Sequence, residues 1–268
     1  MIYVVSDLHC GDKGDRDNFS APNREYRFNK FLDTVQENKA ELYILGDLFD
    51  WWQCNFSTSI IQYKNLLDRL DKMNATYVIG NHDNALIGFI NSMPMQTMLS
   101  IPMPHPFLSK SGYPFTQTIG NRRFAFLHGH ELDPYCNSIN PGIGTINTII
   151  SGMLEDKNGG PFNQGVAVEE ECVGTLERIA ELYNDITFQQ NRQNKMLEDI
   201  EQYRRDENAD VVIYGHTHRP GRIGNMHFNA GTWARDIDTF VQIQDNGETS
   251  IFQWTDQNIA VPYETILA

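Results

Sequence analysis

Leu42-Tyr43-Ile44-Leu45-Gly46-Asp47-Leu48-Phe49-Asp50 carries the decisive pattern of this chain: four apolar or aromatic residues, a glycine, then two aspartates three positions apart. Such an unbroken run reads as a short strand buried on both faces, as in a parallel sheet covered by helices. Glycine after the run permits a tight turn where the chain leaves the strand. In open α/β sheets ligands bind beyond the carboxyl ends of strands, so Asp47 and Asp50 stand where chemistry is expected.

The same punctuation recurs on both sides of this stretch. Residues 2–5 are followed by Asp7-Leu8-His9, residues 77–79 by Gly80-Asn81-His82-Asp83, residues 124–127 by His128-Gly129-His130, and residues 211–214 by Gly215-His216-Thr217-His218. Six of the eight histidines fall in these clusters. Taken singly, an Asp-x-His pair can cap a helix and Gly-Asn-His-Asp can serve only as a turn. Gly-His-Thr-His is more specific, because alternate residues of an extended chain project to one side. Five clusters in order, each at a strand end, point to side chains converging from positions about 200 residues apart. Carboxylate, amide and imidazole donors without thiolate suit Mn, Fe, Zn, Ni or Co. His105, among prolines, and His227, on an expected strand, read as structural.

Between the runs, residues 26–35 and 60–73 place apolar side chains at three- and four-residue intervals, as crossover helices between parallel strands do. Turn signals at 119–122, 223–226 and 244–247 predict hairpins, hence a mixed sheet or two sheets. From 131 to 208 the strand rhythm stops. Residues 168–205 are charged and helix-periodic, and 137–164 are rich in Gly, Asn, Ile and Pro, so 131–208 reads as a helical cap insert with a loop before its helix.

At 268 residues and 40% hydrophobic content the chain suits one large domain with an insert. Its formal charge of −14 disfavours nucleic acid and anionic membranes, so an anionic substrate needs local positive charge, which bound cations supply. No stretch reaches the roughly 18 apolar residues of a membrane span, and no secretion signal is visible, so a cytoplasmic protein is expected. The four cysteines form no CxxC pair and read as reduced thiols.

The clusters resemble the calcineurin-like metallophosphoesterase superfamily, whose five motifs they match in order and spacing over residues 1–130 and 209–236. That resemblance implies a four-layer α/β/β/α sandwich of two mixed sheets with a dinuclear metal centre at one edge, a single domain over 1–268 with the 131–208 insert within it. It implies one divalent ion on Asp7, His9, Asp47 and His218 and a second on Asp47, Asn81, His128 and His216, manganese foremost. It further implies hydrolysis of a phosphate ester or pyrophosphate by a metal-bridging hydroxide, with His82 as proton donor and Asp50 orienting it. His128 follows its apolar run directly, as the family's ligand does; His130 is then behind the ligands or facing substrate.

Phosphoprotein phosphatases of the family continue the second motif with Asp-Arg-Gly, whereas Trp51-Trp52 follow Asp50. The stretch from Leu45 to Trp52 is similar to UDP-2,3-diacylglucosamine pyrophosphatases, although His128-Gly129-His130 stands where those enzymes have His-Gly-Asp. The expected substrate is a small molecule or lipid precursor, with Arg219, Arg222, Arg235, His130 and Trp51 as its candidate contacts. A phosphoprotein or phosphomonoester phosphatase, and a non-catalytic metal-binding sensor or scaffold, are the alternatives.

Overall fold

Each of the five apolar runs becomes a strand, with ends shifted by a residue or two. The computed structural model describes residues 1–14, 17–21, 23–91, 104–133, 186–235 and 237–265. Among them β1 (Ile2–Val5), β2 (Glu41–Leu45), β3 (Thr76–Val78) and β4 (Ser111–Gly112) pair in parallel, each with the next. On the other side of β1, β10 (Thr239–Ile243), β11 (Thr249–Trp254) and β12 (Ala260–Pro262) extend the sheet antiparallel, giving the order β12-β11-β10-β1-β2-β3-β4.

The second sheet has the order β5-β6-β7-β9-β8, built from β5 (Phe115–Ile119), β6 (Arg122–Phe126), β7 (Val211–Tyr214), β8 (Gly221–Ile223) and β9 (His227–Asn229). Its inner pairs are parallel and its outer pairs antiparallel, so both sheets are mixed. All three predicted turns close hairpins, β5–β6, β8–β9 and β10–β11.

Strand alternation divides the core into two layers. Tyr3, Val5, Leu42 and Ile44 face the helices α1 (Arg24–Glu37), α2 (Phe56–Gln62) and α3 (Lys64–Lys72), meeting Phe28, Phe31, Leu32, Ile60, Leu66, Leu67 and Leu70. Their neighbours Ile2, Val4, Tyr43 and Leu45 point the other way, onto Phe124, Phe126, Val211 and Ile213 of the second sheet. Burying an aromatic or branched side chain contributes about 1.5–3 kcal/mol, so two fully buried faces on four-residue strands suffice to fix their register.

The helix predicted over 60–73 is in fact two, broken at Tyr63 with φ −102° and ψ 19°. The cause is tertiary. Tyr63 donates its hydroxyl to Asp17 Oδ2 at 2.7 Å and sets its ring edge-on to Phe19. A fourth helix, α4 (Ala85–Asn91), follows the third cluster.

The chain separates into two units, Met1–Gly129 with Tyr203–Ala268, and His130–Gln202. The second holds a 3-10 turn (His130–Leu132) and most of α5 (Ile186–Asp206), in which Met196 and Ile200 are buried. Its buried Asp133 takes a charge-assisted hydrogen bond from Arg192 Nε at 2.9 Å. The predicted loop at 137–164 and the first part of the predicted helix, 168–185, lie outside the described residues.

Candidate metal centre

The site grows from the ends of β1 and β2. Beyond the strands proper the backbones stay paired: Asp7 N–H donates to the Gly46 carbonyl at 3.1 Å, His9 N–H to Asp47 at 2.9 Å and Cys10 N–H to Leu48 at 2.9 Å. Asp7, His9 and Asp47 nevertheless adopt left-handed φ values of 55°, 52° and 50°. His216 and His218, after β7, do the same at 66° and 57°. Non-glycine residues rarely adopt this conformation, and clusters of it mark functional sites held by their surroundings. The holding groups are visible: Trp233 N–H and Thr232 Oγ1 both donate to the Asp7 carbonyl, at 3.0 and 2.8 Å.

Gly46 turns with φ 84°, as expected of a glycine after a strand, while close approach explains Gly80 and Gly215. A Cβ on Gly80 would stand 2.2 Å from Asp47 Oδ1 and 2.4 Å from its backbone nitrogen. One on Gly215 would stand 1.9 Å from Ser6 Oγ and 2.5 Å from Asp7 Oδ2. The strand ends are pressed together until only hydrogen fits between them.

Two groups of donors result. In the first, Asp7 Oδ1 lies 3.0 Å from His218 Nε2 and 3.6 Å from His9 Nε2, and those two nitrogens are 3.0 Å apart. In the second, His128 Nε2 lies 3.0 Å from Asn81 Oδ1 and 3.3 Å from Asp47 Oδ2. Asp47 Oδ2 is also 3.7 Å from His9 Nε2, so this carboxylate stands between the groups. The His216 ring meets that of His128 edge-on, centroids 5.1 Å apart, and its backbone N–H donates to Asp7 Oδ2 at 2.9 Å. His128 donates Nδ1–H to the Leu45 carbonyl at 2.6 Å, which turns its Nε2 toward Asp47 and Asn81.

Asp7 tests whether cations suit this cradle. Its Oδ2 is satisfied by Ser6 Oγ and the His216 N–H, while the buried Oδ1 takes no hydrogen bond and faces only imidazole nitrogens. Donor atoms of Asp7, His9 and His218, and of Asp7, Asp47 and His128, lie within 4.8 Å of one another, so the residues fit divalent ions.

The charges are correspondingly shifted. Burial pushes the Asp7 and Asp47 carboxyls up, but His218 and His128 facing Asp7, and His128 and His82 facing Asp47, bring both far below the usual range. Burial pulls His9 down, yet Asp7, Asp47 and Asp50 lift it to about 9, whereas burial takes His218 down to about 4. The acidic cluster needs positive charge.

His82 stands beside these groups. Its Nδ1 is 2.7 Å from Asp50 Oδ1, its Nε2 is 4.0 Å from Asp47 Oδ2, and its backbone N–H donates to Asp47 Oδ1 at 2.9 Å. Burial raises the Asp50 carboxyl, but the His82 bond and charge outweigh it and lower it. His9, Asp50 and His82 also form a compact trio.

The candidate substrate contacts separate. Trp51 is packed away: it stacks on Phe49, lies against Phe56 and donates Nε1–H to Ser59 Oγ at 2.7 Å. Its neighbour Trp52 is the one at the site, with its ring on His82. Arg222 spends its guanidinium on its own hairpin, donating to the Gly224 carbonyl at 3.0 Å and Asn225 Oδ1 at 3.1 Å. Arg235 is exposed and its charge acts on His218; Arg24 holds its carbonyl at 2.7 Å. Arg219 is exposed immediately after His218. His130 is buried in the second unit, Nδ1 3.5 Å from Glu131 Oε2. His105 and His227 are buried, and His105 Nε2 lies 3.0 Å from Asp68 Oδ1, as expected of structural histidines.

Sequence reasoning missed the braces. Asp83, inside the third cluster, takes Leu48 N–H at 2.9 Å, Gly80 N–H at 2.6 Å and the Tyr77 hydroxyl; burial and Asp47 raise its carboxyl to about 6. Asn229 ties the fifth cluster, donating to the Gly215 carbonyl and Thr217 Oγ1 and accepting from Gly231 N–H. Asp83 was in view within its cluster without a role, and Asn229, eleven residues past His218, carried no sequence signal.

Residues 1–220 match the Metallophos family model, described as calcineurin-like phosphoesterase. Among curated proteins none matches the chain. Of solved structures, a Vps29 single mutant from Entamoeba histolytica is 14% identical with a TM-score of 0.47, covering 98% of this chain and 99% of that one. A dimetal phosphatase from Danio rerio is 15% identical with a TM-score of 0.47, covering 94% of each. Vacuolar protein sorting 29 from Cryptosporidium parvum is 14% identical with a TM-score of 0.46, covering 98% and 97%.

Proposed function

The chain belongs to the calcineurin-like phosphoesterase family, and on that premise we propose that it hydrolyses a phosphate ester or pyrophosphate of a small molecule or lipid precursor, using two divalent metal ions. The observation that carries this reading is Asp47 Oδ2, set 3.7 Å from His9 Nε2 and 3.3 Å from His128 Nε2, where one carboxylate would serve both groups of donors. Asp7, His9, Asp47 and His218 would hold one ion; Asp47, Asn81, His128 and His216 would hold the other. Manganese is the metal we take first, and carboxylate, amide and imidazole donors equally accommodate iron, zinc, nickel or cobalt. Bound there, the ions supply positive charge against the phosphoryl oxygens and acidify a water near neutral pH.

The protein's own groups do the rest. His82, its Nδ1 held by Asp50, presents Nε2 as the proton donor to the departing oxygen. Arg235 and Arg219 offer charge to the phosphate beside the fifth cluster. His130 is kept as a candidate substrate residue and Trp52 takes the place of Trp51 at the site. Arg222, committed to its hairpin, is the weakest of the arginines for this role. No described helix is long and apolar enough to cross a membrane, and a cytoplasmic location is the reading we adopt.

The test is hydrolysis of bis(4-nitrophenyl) phosphate against 4-nitrophenyl phosphate by chelated protein, with and without added manganese. Manganese-dependent cleavage of the diester is expected. Preference for the monoester would turn the assignment to a phosphatase, and two ions bound with neither ester cleaved would favour a non-catalytic metal-binding protein.

A further inference from the structure

The turn that begins at Asp50 carries more than a carboxylate. Gln53 and Cys54 both return their backbone N–H to the Asp50 carbonyl at 3.1 Å, and Gln53 Nε2 donates to Asp50 Oδ2 at 2.9 Å, so residues 50–54 form one closed turn. Trp51 nails that turn to the core through Phe49, Phe56 and Ser59. Trp52, the next residue, lies on the face of His82 with ring centroids 3.9 Å apart and planes 24° from parallel.

A ring held by one hydrogen bond is free to swing about it. Asp50 sets the direction of His82 through Nδ1 but leaves its plane room to tilt; an indole on the ring face removes that freedom. The His9 ring, perpendicular to His82 at 4.6 Å, adds a further contact. We propose that Trp52 is the positioning residue of His82, so that one short turn delivers both the carboxylate that orients the imidazole and the indole that fixes its plane. This rests on reading His82 as the proton donor. The consequence is selective: a misdirected donor hurts substrates whose leaving oxygen needs a proton and spares those that leave as a stable anion.

Two measurements on Trp52→Ala and Trp52→Phe test it. In the metal-free protein the His82 imidazole N–H bonded to Asp50 should give a slowly exchanging, low-field proton resonance that broadens away in W52A and survives in W52F. With manganese present, W52A should lose roughly 10²-fold in kcat on diphenyl phosphate, against less than about tenfold on bis(4-nitrophenyl) phosphate, whose nitrophenolate leaves without a proton. KM should barely move, and W52F should recover most of the loss. An unchanged His82 resonance in W52A, or equal loss on both esters while His82→Ala still discriminates between them, overturns the proposal. Should His82→Ala itself lose both esters equally, the proton-donor reading fails instead, and the resonance alone decides whether Trp52 positions the ring.

Discussion

Left-handed backbone serves different ends at the hairpins and at the candidate metal centre, and different residues take it up there. At the hairpins the chain uses residues that tolerate it: Gly120 at φ 61°, Gly224 at 57° and Gly247 at 83°. At the candidate metal centre, beside Gly46 at 84°, it uses Asp7, His9, Asp47, His216 and His218. Hairpin residues are chosen for the backbone. Site residues are chosen for their donor atoms, and the backbone preference is overridden at about 1–2 kcal/mol per residue. The difference teaches where to look for what holds the site: in the packed glycines, Trp233, Thr232 and Asp83 that enclose those loops.

Substitutions on each side of this contrast can break it. The largest expected effect is Gly80→Ala, whose methyl would meet Asp47 Oδ1 at 2.2 Å and its backbone nitrogen at 2.4 Å. Loss of about 3 kcal/mol or more in urea unfolding, together with loss of metal, is expected. Asp47→Asn leaves the fold standing but removes the carboxylate between the two groups. At least one bound ion should disappear by elemental analysis and activity should fall more than about 100-fold; two retained ions would refute the bridging role. His82→Ala should lower turnover by roughly 10²–10⁴-fold on esters with poor leaving groups while metal content stays the same, and loss of metal with activity would contradict its assignment. The smallest effect belongs to Gly224→Ala, which meets nothing within 4 Å and pays only for its φ of 57°. About 1 kcal/mol in chemical denaturation, with full activity, is the expected outcome.

The strands and the polar residues gathered at their ends were legible because an apolar run followed closely by Asp, Gly or His is both a folding signal and a chemical one. Residues 42–50 showed this best: the run sets β2, and Asp47 and Asp50 follow from where β2 must end. Features that depend on contact between distant residues were not legible. Nothing local to Tyr63 signals a helix break; what marks the residue is its bond to the distant Asp17. Trp51 and Trp52 are chemically alike, and only the turn at Asp50 sends one into the core and the other onto His82. Arg222 looked like a phosphate contact until the β8–β9 hairpin engaged it. The left-handed conformation of the candidate ligands was unreadable for the same reason, since Asp and His do not advertise that conformation in sequence as glycine does.

One consequence of the strand order concerns thermodynamic linkage. The first sheet supplies Asp7, His9, Asp47 and Asn81, and the second supplies His128, His216 and His218. Cations bound by the proposed ligands would cross-link the two sheets at the rim of their shared apolar interior. Any ion that prefers the folded chain stabilises it by RT ln(1 + [L]/Kd), about 4 kcal/mol at a thousandfold excess over Kd. Melting temperature should therefore climb with the logarithm of free metal and drop under chelation, which makes a thermal scan a binding assay that needs no substrate.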